Sequence, residues 1–421
     1  MLLTKIHQIM TGTHVSADAG EPQRFLRHFA SLAATKLADG LIDPKLVLAW
    51  LMGALGAPGY MVGALVPIRE AGALLPQILL ARWIQRRRIR KYFWAGGSLL
   101  QGLAALGIAF AALTLDGTPA AWVILLCLAI LALARAACSA SYKDVAARTL
   151  AKGSRGTVSG AAGTVAAAAV FAFALGLSFG ILPLSMTSIS IAITVAGVLW
   201  LAAAILFVQL DEPEAEPQTN SFEGFRALLG PLRDDTEFRT YILVRGLLIS
   251  TALAPPFLVM LSHAGGEREL GNLGLLMVAS SLAAITSSYV WGRLSDRSSR
   301  WTLAFSGTAA AVALGGAAMI GLLTGGIGGQ WMAALFIFVA QIAYEGVRAG
   351  RKTHLTDMDT HGRKAIYTAL SNTVIGTLLL AGGGFGLLAE VAGPSVVLAV
   401  FAVSSAFGAM VALKLGEVQQ R

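Results

Sequence analysis

A chain of 421 residues with 56% hydrophobic and only 13% charged side chains cannot cover a water-soluble surface, for which about 25% charged residues is usual. The net charge of +9 does not call for nucleic acid, because no aromatic stacking platform accompanies the basic runs. Basic loops beside anionic lipid headgroups account for it.

Residues 1–25 are polar and mixed, without the charged, apolar, small-residue order of a cleaved signal peptide, so the first apolar span is expected to direct insertion. About twelve apolar spans follow, near 26–55, 59–82, 92–115, 120–142, 157–180, 186–209, 239–262, 271–291, 302–324, 331–350, 365–389 and 394–414. Each is close to the ~20 residues a helix needs to cross a bilayer. The runs are continuously apolar with no period of two, which selects a helical bundle over a barrel. Turn chemistry separates spans at Gly56-Ala57-Pro58-Gly59, at Leu182-Pro183, from Gly325 to Gly329 and at Gly393-Pro394. Cys127 and Cys138 share the fourth span, about 16 Å apart along a helix and too far for a disulfide. Both read as packing residues.

Basic residues occupy alternate gaps. Arg82, Arg86, Arg87, Arg88, Arg90 and Lys91 follow span 2; Lys143, Arg148, Lys152 and Arg155 follow span 4; Arg293, Arg297 and Arg300 follow span 8; Arg351, Lys352, Arg363 and Lys364 follow span 10. The gaps after spans 1, 3, 5, 7, 9 and 11 hold only Arg268. Basic loops stay cytoplasmic during insertion, so both termini are expected in the cytoplasm of a multi-pass inner-membrane protein.

The longest polar interval divides six spans from six. The expected division is an N-terminal segment 1–25, a six-helix bundle 26–210, a cytoplasmic linker 211–238, a second six-helix bundle 239–415 and a tail 416–421. The linker opens with the acidic DEPEAEPQTN, expected to be disordered or loosely attached. SFEGFRALLGPL follows, with Phe222, Phe225, Leu228, Leu229 and Leu232 at helical spacing, as in a helix lying on the membrane surface. The halves are weakly self-similar at an offset of about 210 residues: ARWIQRRRIRKYFW pairs with GRLSDRSSRW, and GSRGTVSGAAGTV with HGRKAIYTALSNTV. Such repeats are a transporter architecture.

GRLSDRSSR, from Gly292 to Arg300, resembles the cytoplasmic loop signature of the major facilitator superfamily, Gly-x-Leu-x-Asp-Arg-x-x-Arg. With six-plus-six spans and a midpoint linker, the resemblance covers nearly the whole chain. It implies an all-α membrane fold of twelve transmembrane helices in two six-helix bundles, related by a pseudo-two-fold axis along the membrane normal. It also implies a cytoplasmic gate in which Gly292 allows close helix approach, Asp296 bonds a donor across the inner face, and Arg297 and Arg300 bridge to neighbouring helix ends. The copy after span 2 departs from the signature: Ala81 stands for its glycine and Gln85 for its aspartate. GTVSGAAGTV in span 5 partly resembles the signature of family drug antiporters but lacks the proline, and close helix packing at Gly156 and Gly160 explains it.

Ionisable side chains at membrane depth cost about 3 kcal/mol or more and tend to face a wet or protein-lined interior. In ATKLADGLIDPKL of span 1, Lys36, Asp39 and Asp43 share one helical face. Pro44 crowds the carbonyl of Gly40 and should break the helix, exposing backbone groups to a solute or ion. Asp43 is the first candidate for proton coupling and Asp39 the next, with Lys36 and Lys45 as neighbouring cations. A carboxyl becomes a proton carrier when a gate changes its burial and its nearby cation. Arg69 and Glu70 in span 2 each call for a partner on another helix. In proteins resembling this family, helices 1, 4, 7 and 10 line the cavity, so Arg135 and Glu345, one repeat apart, are expected to face one another across the pathway; Arg348 lies beside them. In span 7, Ser250 and Thr251 offer hydroxyls and Pro255-Pro256 should bend the helix. Arg245, Gln341, Tyr344 and Asn372 are weaker candidates.

No phosphate-cradling loop, metal cluster, nucleophile elbow or His–carboxylate constellation appears in the sequence, so neither ATP drive, a cofactor nor an enzyme is expected. The expected function is a monomeric secondary transporter, proton-coupled, moving a small organic solute by alternating access among membrane lipids. The mixed charges (Lys45, Arg69, Arg135 and Arg348 against Asp39, Asp43, Glu70 and Glu345) suit a zwitterionic or amphiphilic solute. The alternative is a non-transporting protein of the same fold, serving assembly or handling lipid or pigment.

Overall fold

The computed structural model describes residues 20–151, 154–216, 229–263, 273–360 and 363–419. Lys152, Arg268 and most of the surface-helix segment, 221–228, lie outside the described residues. All secondary structure among them is helical. Span 1 is α1 (Glu21–Leu41) and α2 (Val47–Ala54); span 2 is α3 (Gly59–Leu74) and α4 (Gln77–Gln85). Spans 3 to 6 are α5 (Lys91–Thr114), α6 (Gly117–Thr149), α7 (Ser154–Ser178) and α8 (Met186–Val208). The short α9 (Gly230–Asp234) precedes span 7, made of α10 (Thr236–Leu247) and α11 (Ser250–His263). Then come α12 (Leu273–Arg297), α13 (Ser299–Thr324), α14 (Gln330–Asp357), span 11 as α15 (Lys364–Gly382) and α16 (Gly384–Ala392), and α17 (Pro394–Ala412). Eleven spans among the described residues are long and apolar enough to cross a membrane. Span 1 falls short of that measure because it is broken and carries Lys36 and Asp39. Large apolar side chains such as Leu323, Trp331 and Phe110 stand 79%, 72% and 66% exposed, as a lipid-facing surface requires and a water-facing one does not tolerate at this density.

The breaks follow proline chemistry. Pro44 stops α1, and α2 starts again at Val47. The gap is held by the Asp43 side chain, whose Oδ1 accepts from the Lys45 backbone N–H at 2.8 Å, while the Asp43 carbonyl accepts from Leu48 N–H at 3.0 Å. Pro76 divides span 2 in the same way. In span 7 the interruption falls a turn before the expected place: Pro255 and Pro256 sit inside α11, and the break is at Leu248–Ile249. Each proline withdraws an N–H and crowds the carbonyl four residues back, at Thr251 and Ala252. The N–H groups of Thr251 and Ala252 turn instead to Leu248 and Ile249 carbonyls at 3.2 and 2.9 Å.

The two halves meet backbone to backbone at the end of the bundle away from the basic loops. A Cβ on Gly63 of α3 would stand 2.6 Å from Gly386 Cα on α16, and one on Gly274 of α12 would stand 2.6 Å from the backbone nitrogen of Ser178 on α7. The offset of about 210 residues carries Gly63 to within one residue of Gly274, and Gly386 back to within two of Ser178, so the two crossings are equivalents under the internal repeat. Glycine here removes the one atom that would hold the backbones apart. Gly156 and Gly160 do not pack as expected: open space surrounds a Cβ at either one, whereas a Cβ on Gly163 of the same helix would stand 3.2 Å from Lys36 Nζ.

We expect Gly63→Val to hold this end open. Spin labels at positions 57 and 391 should report a longer distance than in the unsubstituted background; an unchanged distance would contradict the crossing as a closure point.

Candidate functional site

Halfway along the bundle the charged residues of the N-terminal half converge on one carboxylate. Asp39 on α1 accepts from Arg69 Nη2 of α3 at 2.8 Å through Oδ1 and pairs through Oδ2 with Arg135 Nη1 of α6. Three spans are thereby tied at one point. The side chains are 21%, 13% and 32% exposed for Asp39, Arg69 and Arg135, so water reaches the group. Lys36, one turn before Asp39, donates to the Ser159 carbonyl on α7 at 2.6 Å. At the backbone break the Asp43 carboxylate caps the turn at Pro44.

Lys45 crosses to the other half. Its Nζ sits 3.3 Å from the ring centroid of Tyr344 on α14, a cation–π contact. Spacing alone does not signal this contact, because the two residues lie in different repeats. Beyond Tyr344, Glu345 is buried and pairs with Arg348 of its own helix at 2.8 Å, with Gln341 donating at 3.2 Å. The expected pair of Arg135 with Glu345 is therefore not formed; each finds its countercharge inside its own half. Arg348 remains 57% exposed although it lies on a span. Glu70, Leu74, Arg245, Thr251, Tyr344, Arg348 and Arg351 line a void of about 20 Å³ between spans 2, 7, 10 and 11. Ser250 turns away and shares a hydrogen bond with Ser405 at 2.8 Å.

At the basic end, the expected gate has a different construction. Nothing lies within 4 Å of a Cβ at Gly292, and Asp296 and Arg297 are exposed, with no hydrogen bond or ion pair among the described residues. Arg300 faces Glu417 of the tail, Nε to Oε2 at 3.7 Å, and the same oxygen accepts from Ser298 Oγ at 2.6 Å. The other half repeats the device. Glu212, just past span 6, is buried and accepts through Oε2 from the backbone N–H groups of Arg90 and Lys91 at 2.9 and 2.7 Å, at the start of α5, where the helix dipole favours an anion. Arg90 itself donates to Asp144 at 2.5 Å. The carboxylate missing at Gln85 is thus supplied from the linker. This corrects the expectation of a loose acidic segment: Glu214 pairs with Arg88 at 3.4 Å, Ala215 N–H donates to the Arg88 carbonyl at 2.9 Å, and opposite charge docks residues 211–216 on the basic loop.

A constellation absent from the sequence pattern also forms. His354 Nδ1 lies 2.9 Å from Ser299 Oγ, and its Nε2 lies 3.3 Å from Glu237 Oε1. Ser299 and His354 are fully buried, so no substrate reaches the hydroxyl; the group ties α14 to α10 and α13. Among the described residues no cluster of three or more His, Cys, Asp or Glu could hold a metal. Cys127 and Cys138 are free thiols; Cys138 packs under Gln101 and the Trp94 carbonyl.

No family model matches the sequence, and no curated protein matches it. Solved structures do. The nucleoside transporter NupG, crystallised as a single-site mutant, superposes with a TM-score of 0.69 at 12% identity, covering 94% of this chain and 100% of that one. An auto-inhibited peptide transporter of the POT family superposes at 0.67 and 12% identity, covering 92% and 96%. The chain has the fold of the major facilitator superfamily: two six-helix bundles of a multi-pass membrane protein.

Removing the linker carboxylate in Glu212→Ala strands two backbone donors and Arg148 at a buried site, a loss of about 1–3 kcal/mol. Thermal unfolding of the detergent-purified chain should show a lower midpoint, with Glu214→Ala near wild type because its pair is exposed. Equal midpoints for Glu212→Ala and wild type would contradict the clamp.

Proposed function

We propose that this chain is a secondary transporter that moves a small organic solute across the inner membrane by alternating access, driven by protons, with both termini in the cytoplasm. The observation that carries the reading is Asp39 held between Arg69 and Arg135 at mid-bundle, wetted while the far end is shut by the glycine crossings. Charged groups at this depth are functional by default. The two similar structures carry nucleosides and peptides by their names, different solutes on one fold, so the substrate has to be argued from this chain's own side chains.

Protonation of Asp39 cancels the charge that binds both guanidiniums. Arg69 and Arg135 then lose their shared countercharge and are released to a solute or to another helix, which loosens spans 1, 2 and 4 from one another. Deprotonation restores the tie. Asp39 is faced by Arg69, Arg135 and, one turn away, Lys36, the cations a gate has to move. Lys45 on Tyr344 links that movement to the opposite half.

The test is accumulation in proteoliposomes carrying a pH gradient, over a panel of solutes. Asp39→Asn should abolish accumulation against a gradient while leaving exchange of solute between the two sides. Asp43→Asn, whose amide oxygen keeps the cap on the Lys45 N–H, should keep accumulation. Accumulation by Asp39→Asn at the wild-type level would remove Asp39 as the proton carrier. Flux of none of the solutes would favour the non-transporting alternative.

A further inference from the structure

We infer that the central site takes a small organic anion and that Arg245 binds its acid group; this rests on the transporter reading and names its substrate class. Arg245 on α10 is 7% exposed. Its Nη1 donates to Ser371 Oγ at 2.5 Å and its Nη2 to Asn372 Oδ1 at 3.2 Å, while its Nε has no partner. Both partners are neutral. Among the described residues no carboxylate comes within ion-pair distance of it. Hydrogen bonds to a hydroxyl and an amide oxygen satisfy two of its five donors and leave the charge uncompensated, and arginine does not shed its proton. A buried guanidinium without a counterion is among the most costly arrangements in a membrane interior.

The neighbourhood repeats the excess. Arg245, Arg348 and Arg351 border the same void of about 20 Å³, room for about one water. Glu345 neutralises Arg348 at 2.8 Å, which leaves Arg245 and Arg351. Opposite them, from the other half, stands Glu70, with no hydrogen bond or ion pair closing on it among the described residues. Glu70 borders the void from the other half without pairing with Arg245 or Arg351, and its negative charge repels an acid there. When the halves part, Glu70 moves away with its bundle, and a solute acid reaches Arg245 and Arg351. A guanidinium fork receives a carboxylate or a phosphate monoester in two parallel hydrogen bonds, and Thr251 and Tyr344 border the remainder. A neutral or cationic solute leaves the charge as it was.

Thermal unfolding of the purified full chain in detergent tests this with succinate, benzoate and glycerol 3-phosphate, against succinamide, benzylamine and glycerol at matched ionic strength. At least one acid should raise the midpoint saturably and its uncharged or cationic counterpart should not. Arg245→Gln, which removes an uncompensated charge and so should fold, should weaken that acid at least about tenfold, the effect of losing one charge-assisted contact of about 1.4 kcal/mol. Glu70→Gln should tighten it several-fold by removing a repelling charge from the void. Stabilisation by no acid, or equally by succinamide or benzylamine, would overturn the inference. If Arg245→Gln fails to fold, unchanged acid affinity in Glu70→Gln overturns it alone. The transporter reading is judged separately by flux: proteoliposomes that carry succinamide or benzylamine but no acid keep the transporter and sink the anion, whereas saturable acid binding without flux does the reverse.

Discussion

A guanidinium or carboxylate halfway across a bilayer must be neutralised or wetted, and the arrangement of this protein follows from that one demand. Asp39 pairs with two arginines at once and thereby fixes spans 1, 2 and 4 relative to one another. The same demand puts Glu345 on Arg348 and Lys45 on the face of Tyr344. The partners are chosen mostly within each half, and polar links between the halves include Lys45 to Tyr344 and Asn372 to Gln77 at 3.4 Å.

The internal repeat governs the ends of the bundle as well as its middle. At one end, equivalent glycine crossings bring spans 2 and 11, and 5 and 8, into backbone contact. At the basic end, equivalent glutamates after spans 6 and 12 reach back to the loops after spans 2 and 8. Each half is thereby stapled at its basic face, and small residues form the contact between the halves at the other end.

Much of the architecture was legible in the chain. Apolar runs of membrane length, basic residues in alternate gaps and the repeat offset carry fold and division into halves, because the bilayer imposes them locally and without reference to tertiary contacts. The break at Pro44 was legible for the same reason. Which carboxylate does what was not: Asp39 and Asp43 share a helical face, and only the partners brought by spans 2 and 4 separate them. The repeat aligned Arg135 with Glu345 correctly in position but said nothing about closer countercharges. The GRLSDRSSR loop suggested a latch through Asp296, whereas the bonds run through Ser298 and Arg300 to a tail glutamate far along the sequence. The acidic linker was misjudged by composition alone, since its charges are met by Arg88, Arg90 and Lys91, more than a hundred residues earlier. Arg245 stood out only as a charge in an apolar span; its lack of a counterion is a fact of three dimensions.

In the proposed transporter, water reaches the mid-bundle charges from one face at a time. Labelling of Arg348→Cys, in a background without Cys127 and Cys138, by a membrane-impermeant thiol reagent in vesicles of known orientation tests it most directly. The account predicts reaction from the basic-loop side alone, and from the opposite side once Gly63→Val holds that end apart. Reaction from neither side, or from the same side in both backgrounds, would contradict it.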